Sequence, residues 1–138
     1  MNKIVQITCD DSYVAKSIIA LNMFQNLNPS FDKAIIGTSF SENSKKLCSN
    51  HNIFLMEIDL SVDFDNLDFR EVGKNYPIEC FYHFYSYKLF PKCDFIVQIE
   101  PDVYTNKKLD IDLNLIRCVG GSYTMGNTIK TFSPLMND

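Results

Sequence analysis

The chain has 138 residues, 46% of them hydrophobic and 13% aromatic, with 22% charged, which suits one domain with a real core and argues against disorder. A formal net charge of -4 and a pI near 5.1 argue against nucleic-acid binding, which draws on an excess of Lys and Arg. No apolar run approaches the roughly 20 residues of a membrane span, and Met1 to Val5 lacks a signal peptide's apolar core, so a cytoplasmic location is expected.

Five cysteines, Cys9, Cys48, Cys80, Cys93 and Cys118, are scattered and odd in number, with no CxxC pair. Reduced, mostly buried thiols are expected. His51 and His83 are the two imidazoles, and neither has a Cys or His at ligand spacing, which sets a structural zinc site aside.

Strand and helix signals alternate along the chain, the pattern of an α/β domain with a largely parallel sheet. "KIVQITC" reads as the first strand, and "CDDSY" follows with turn and N-cap residues. From Tyr13 to about Gln25 the spacing of Val14, Ile18 and Leu21, with Ala15 and Ile19 beside them, predicts a helix that "NLNPS" stops. "KAIIGTS" is the second strand; Ser41 caps a helix to about Ser49 with Leu47 inward; "IFLMEIDL" is the third strand. "SVDFDNLDFREVGKN" has no clear period and reads as a long loop. Pro77 opens a helix whose inner stripe is Ile78, Phe81, Tyr82, Tyr85 and Leu89. "FIVQIE" is the fourth strand, and "LIRCVGGSYTM" the fifth, with Gly120 and Gly121 at a bulge or bend. The whole, residues 1–138, is read as a single domain.

Two acidic sites follow strands: Asp10 and Asp11 after the first, Glu100 and Asp102 after the fourth. Strand C-terminal ends are where open α/β sheets bind ligands. A Glu-x-Asp pair in a turn can aim two carboxylates one way, as hard oxygen ligands for Mg²⁺ or Mn²⁺, and such a cation can carry a diphosphate. Locally, capping by Asp11 or Ser12 and turn formation by "EPD" explain the same residues without a ligand.

In the order of these pieces, from "TCDDSYV" through "KAIIGTS" and "IFLMEIDL" to "FYHFYSYKLFPKCDFIVQIEPDVYTNKKLDID", the chain resembles glycosyltransferase family 8, the glycogenin-like enzymes of the GT-A fold. The resemblance runs from about Lys3 to Leu113. It implies a GT-A-like, Rossmann-like sheet flanked by helices, a UDP-sugar donor, an unspecified hydroxyl acceptor and a Mn²⁺ or Mg²⁺ cofactor. By the same resemblance Asp10 would accept a hydrogen bond from the uracil ring, Tyr13 would pack on the base, and Thr8 and Asp11 would belong to the same pocket. Asp102 would be the firm metal ligand, Glu100 would contact the metal or the ribose, Val103 to Thr105 would form the pocket floor, and His83 would stand where many members have a basic residue touching the diphosphate.

Three departures qualify that reading. Glu100 is one methylene longer than the family's Asp, Pro101 stiffens the turn, and His83 is a weaker cation than Arg or Lys at pH 7. The family's second half, with its acceptor site and a metal-completing His, has no counterpart here, so a truncated domain is expected. Either a partner chain or a second copy would then supply that half, or the chain is a degenerate relative; exposed apolar surface would favour a homo-oligomer. The alternatives are a non-catalytic interaction domain and a receiver-like signalling domain, in which Asp10, Asp11 and Asp59 would form a phosphorylation pocket. Against the receiver, "VGGSYTMGN" places no lysine at the end of the fifth strand.

Overall fold

Four strands form one parallel sheet in the order β3-β2-β1-β4: β1 (Lys3–Thr8), β2 (Asp32–Gly37), β3 (Ile53–Glu57) and β4 (Phe95–Gln98). The structure, a computed structural model, describes residues 2–58, 82, 86–110, 121–125 and 128–132. The helices are α1 (Val14–Leu27), α2 (Glu42–Asn50) and the short α3 (Ser86–Leu89). This is the expected helix-flanked α/β architecture.

Burial on both faces explains why the central strands read as nearly unbroken apolar runs. Val5, Ile7 and Cys9 of the β1 segment pack into a core with Val14, Ile18, Leu21 and Phe24 of α1. A second, smaller cluster joins Ile36 of β2 to Tyr82, with Met56, Ile58, Leu89 and Phe90 around them. Each fully buried aliphatic side chain contributes about 1.5–3 kcal/mol, so these contacts, rather than helix propensity, hold α1 in place.

The buried face of α1 is rotated from the one its hydrophobic spacing suggests. Ser17 lies inside and Ile19 is 54% exposed; Ala15 is exposed too. A serine can take a core position here because its hydroxyl donates to the Tyr13 carbonyl oxygen at 3.0 Å and lies 3.4 Å from Cys9 Sγ. At the other end Asn28 closes the helix, its side-chain amide donating to the Phe24 carbonyl oxygen at 3.0 Å. Asn28 Oδ1 also accepts from the Leu109 backbone at 2.9 Å, which brings the chain beyond β4 back to α1.

The far end of the sheet from the strand exits is pinned by a buried cation. Lys33 of β2 donates to Asn22 Oδ1 of α1 and to the His51 carbonyl oxygen beyond α2, each at 2.7 Å. Burial lowers its pKa from the ordinary lysine value. At the strand exits the backbones crowd instead: a Cβ on Gly37 would come within 2.3 Å of the Cys9 carbonyl oxygen and 2.5 Å of the Phe40 ring. Only glycine lets β1 and β2 leave the sheet so close together.

One expected element differs. The expected fifth strand is present as β5 (Gly121–Met125), but outside the main sheet: it pairs antiparallel with β6 (Thr128–Phe132) in a two-stranded sheet of its own. Gly-Asn between two β-prone runs is a hairpin signal, and closing a two-residue connection costs far less than a crossover to the main sheet. Gly121 pairs with Phe132 in regular register; Gly120 is outside the described residues. Of the helix expected from Pro77, Tyr82 and Leu89 are packed inward as read, while Ile78, Phe81 and Tyr85, and the long loop before them, lie outside the described residues. Cys9 and Cys48 are buried free thiols and Cys93 a half-buried one; Cys80 and Cys118 are not among the described residues. No helix among the described residues is long and apolar enough to cross a membrane.

The rotated face of α1 makes a direct prediction. Ile18→Ala should cost about 2–5 kcal/mol in urea unfolding, whereas Ile19→Ala should stay within about 0.5 kcal/mol of wild type.

Candidate functional site: the crevice between the ends of the first and fourth strands

The strand order creates the site. From β1 the chain steps outward through β2 to β3, then β4 returns to the opposite side of β1. At such a reversal the segments leaving the two neighbouring strands part in opposite directions and open a crevice at their C-terminal ends. The parallel register pairs Gln6 with Gln98, and Ile99 N–H donates to the Gln6 carbonyl oxygen at 3.0 Å as the last rung. Thr8, Asp10, Asp11 and Tyr13 follow on one side, Glu100 and Asp102 on the other. The two acidic stretches, about 90 residues apart in sequence, thus leave the same edge of the sheet from neighbouring strands, where open α/β sheets bind ligands.

On the β1 side the chain turns sharply. Asp10 caps a three-residue 3-10 turn, Asp11–Tyr13, its Oδ1 accepting from Ser12 N–H at 2.8 Å and Ser12 Oγ at 2.5 Å. Its other oxygen has no partner among the described residues and is available to a ligand. Asp11 does different work: its Oδ1 accepts from Ser41 N–H at 2.9 Å and Ser41 Oγ at 3.2 Å, tying the turn to the N-cap of α2. Hydrogen bonds from Ser44 and from the Ser41 backbone lower its pKa from the ordinary aspartate value. Thr8 is buried, with Gln98 Nε2 at 3.5 Å from its hydroxyl. Tyr13 is 43% exposed, with Lys16 Nζ 4.8 Å from its ring centroid. Sequence reading passed over Lys16; its place one turn after Tyr13 on a helix start was the available signal.

On the β4 side a tight turn presents the carboxylates. Val103 N–H donates to the Glu100 carbonyl oxygen at 3.1 Å, with Pro101 and Asp102 between them, so proline occupies the position its fixed φ favours. Glu100 and Asp102 are exposed, as are Val103 and Tyr104, the latter 66%. Among the described residues no three His, Cys, Asp or Glu side chains converge as a ready-made metal cage. Two exposed carboxylates on one short turn instead match a Mg²⁺-type site, in which one or two carboxylates share the ion with phosphate oxygens and water. His83 lies outside the described residues.

Strand order also weighs against a receiver pocket. That arrangement needs the first and third strands side by side, but β2 lies between β1 and β3 here, so a residue following β3 is two strands removed from Asp10 and Asp11. Asp59 itself is outside the described residues.

No protein-family model matches the chain, and no curated protein matches it in sequence. Among solved structures, the galactosyltransferase LgtC in complex with donor and acceptor sugar analogs superposes with a TM-score of 0.60 at 18% identity, over 77% of this chain and 40% of that one. The mannosyltransferase Ktr4p from S. cerevisiae superposes with a TM-score of 0.52 at 17% identity, over 82% of this chain and 35% of that one. Its complex with GDP gives 0.51 at 14% identity. The fold is that of the GT-A glycosyltransferases. The chain spans well under half the length of either enzyme. At this identity the likeness fixes the architecture and leaves family and substrate to chemistry.

The Asp11 tie gives a pH-dependent prediction. Asp11→Ala should lower stability by about 0.5–1 kcal/mol, the low end for a cap because the carboxylate is exposed. Since folding lowers this pKa, the contribution is whole above about pH 4 and fades as pH falls through the folded value, so urea midpoints of wild type and variant should converge on acidification. A gap that stays constant from neutral to strongly acidic pH would contradict it.

Proposed function

We propose that the crevice binds a UDP-sugar with Mn²⁺ or Mg²⁺ and that the domain serves hexosyl transfer to a hydroxyl acceptor. The observation that carries this reading is the meeting of two chemically different half-sites across one strand reversal. On the β1 side are a solvent-exposed tyrosine ring and an aspartate oxygen without a partner among the described residues; on the β4 side are two carboxylates on one rigid turn. A nucleoside diphosphate has a base at one end and phosphates at the other, and it matches that polarity.

Each residue then has a task. Tyr13 stacks on the base with the ring face that Lys16 leaves open, and stacking of this kind contributes about 1–3 kcal/mol per base. Asp10 accepts an imide N–H through the oxygen that has no partner among the described residues, Thr8 and Asp11 shape the turn behind it, and Lys16 adds positive charge on the base side. Glu100 and Asp102 would hold the cation. When bound, the ion would act as a Lewis acid that neutralises charge developing on the leaving diphosphate. Val103 to Thr105 floor the pocket, and His83 adds a weak cation. Residues for the acceptor hydroxyl are not among those described.

Calorimetric titration of UDP in the presence of Mn²⁺, then of chelator, tests the reading. Binding should depend on the metal, and Asp102→Asn should weaken it by at least about tenfold, roughly 1.4 kcal/mol. No binding at millimolar UDP would refute the nucleotide site and favour the interaction-domain reading.

A further inference from the structure

At the last rung between β1 and β4 the side chains of the paired residues bond as well: Gln6 Nε2 donates to Gln98 Oε1 at 2.9 Å. The backbone dictates how both amides face. Ile99's carbonyl oxygen can only accept, and it takes Gln98 Nε2 at 3.1 Å. Gln98 Oε1 is thereby turned to Gln6, which answers with Nε2; that nitrogen also donates to Ser86 Oγ of α3. The same Gln98 nitrogen reaches Thr8 Oγ1 at 3.5 Å, the outer limit for such a bond.

This arrangement has a cost. Gln6 is fully buried, and its Oε1 has no hydrogen-bond partner among the described residues. Turning the Gln6 amide over would set one carbonyl oxygen against another. An unpaired buried acceptor destabilises, a penalty that two apolar side chains of the same length would avoid while giving up the bonds to Ser86 and to the Ile99 carbonyl oxygen. Stability alone is therefore an incomplete reason for a glutamine pair here. Its location gives another: the pair joins the two strands at the point where the main-chain ladder stops and the half-sites separate.

We infer that Gln98, with Gln6 behind it, is a positioning residue that fixes the spacing between the base side of the crevice on β1 and the phosphate side on β4. The inference rests on the nucleotide-binding reading above. A ligand that bridges both sides feels that spacing, whereas one held mainly from the β1 side does not. The measurable quantity is the factor by which Mn²⁺ tightens UDP binding, since the ion engages β4 and the base engages β1.

The test compares wild type with Gln6→Met/Gln98→Met, and with Gln98→Met alone, by calorimetry with UDP in Mn²⁺ and in chelator, alongside thermal melts. In the double variant the Mn²⁺ enhancement should shrink by about tenfold, metal-free UDP affinity should stay within about twofold, and the protein should still melt in one cooperative transition. The single variant should lose the enhancement too, with a lower melting temperature because Gln6 Nε2 loses a partner. An enhancement kept in full, equal weakening of UDP with and without Mn²⁺, or a double variant that unfolds would each overturn the inference. Wild type binding UDP with no help from Mn²⁺ would overturn it as well, while leaving the base site standing. Wild type binding no UDP at all would remove the nucleotide reading itself.

Discussion

The strand reversal beside β1 is the constraint on which the rest depends. Had β4 continued outward past β3, Asp10 and Asp102 would lie at opposite ends of the sheet; because it returns beside β1, their segments leave from neighbouring strands. A parallel sheet leaves little choice in where that opening falls, since every strand exits at the same edge. The chemistry is then decided by the few residues following each exit. Here they are a capped turn with an exposed tyrosine on one side and a proline-stiffened acidic turn on the other.

Much of the surrounding structure serves to hold those exits still. Gly37 allows the β2 exit to pass against the Cys9 carbonyl oxygen, and Asp11 fastens the β1 exit to the N-cap of α2. Glu57, at the end of β3, accepts from Phe40 N–H at 2.8 Å, and that bond, with Lys45 3.3 Å away, lowers its pKa from the ordinary glutamate value. These polar ties sit at the ligand edge, whereas the opposite edge is held by a buried lysine spanning two helices. Asp10 and Asp11 are neighbours with the same side chain, yet one caps its own turn and the other is tied to the N-cap of α2. Geometry, not residue type, separates the two roles.

The four parallel strands and both long helices were legible because apolar runs and caps are local signals: Ser41 caps α2, and the "EPD" turn follows β4 as read. What the sequence could not supply was anything set by long-range contact. Ser17 in the core and Ile19 outside it depend on the neighbouring Cys9 and Tyr13 backbone, which no periodicity encodes. The partners of Gln6 in the first strand, Ser86 and Gln98, lie 80 and 92 residues away in sequence and are brought beside it only by the fold. Strand order is likewise silent in sequence, and it is strand order that weighs against a receiver pocket. Gly126 and Asn127, just past the expected fifth strand, carry a local hairpin signal in the sequence.

The most direct measurement is a crystal structure of the chain grown with UDP and MnCl₂, with diffraction collected at the manganese edge. The account predicts one anomalous peak at roughly 2.0–2.3 Å from carboxylate oxygens of Glu100 and Asp102, with diphosphate oxygens in the same shell and the uracil ring against Tyr13. Manganese and nucleotide found away from the β1–β4 exits, or a crevice that stays empty at saturating UDP, would contradict it.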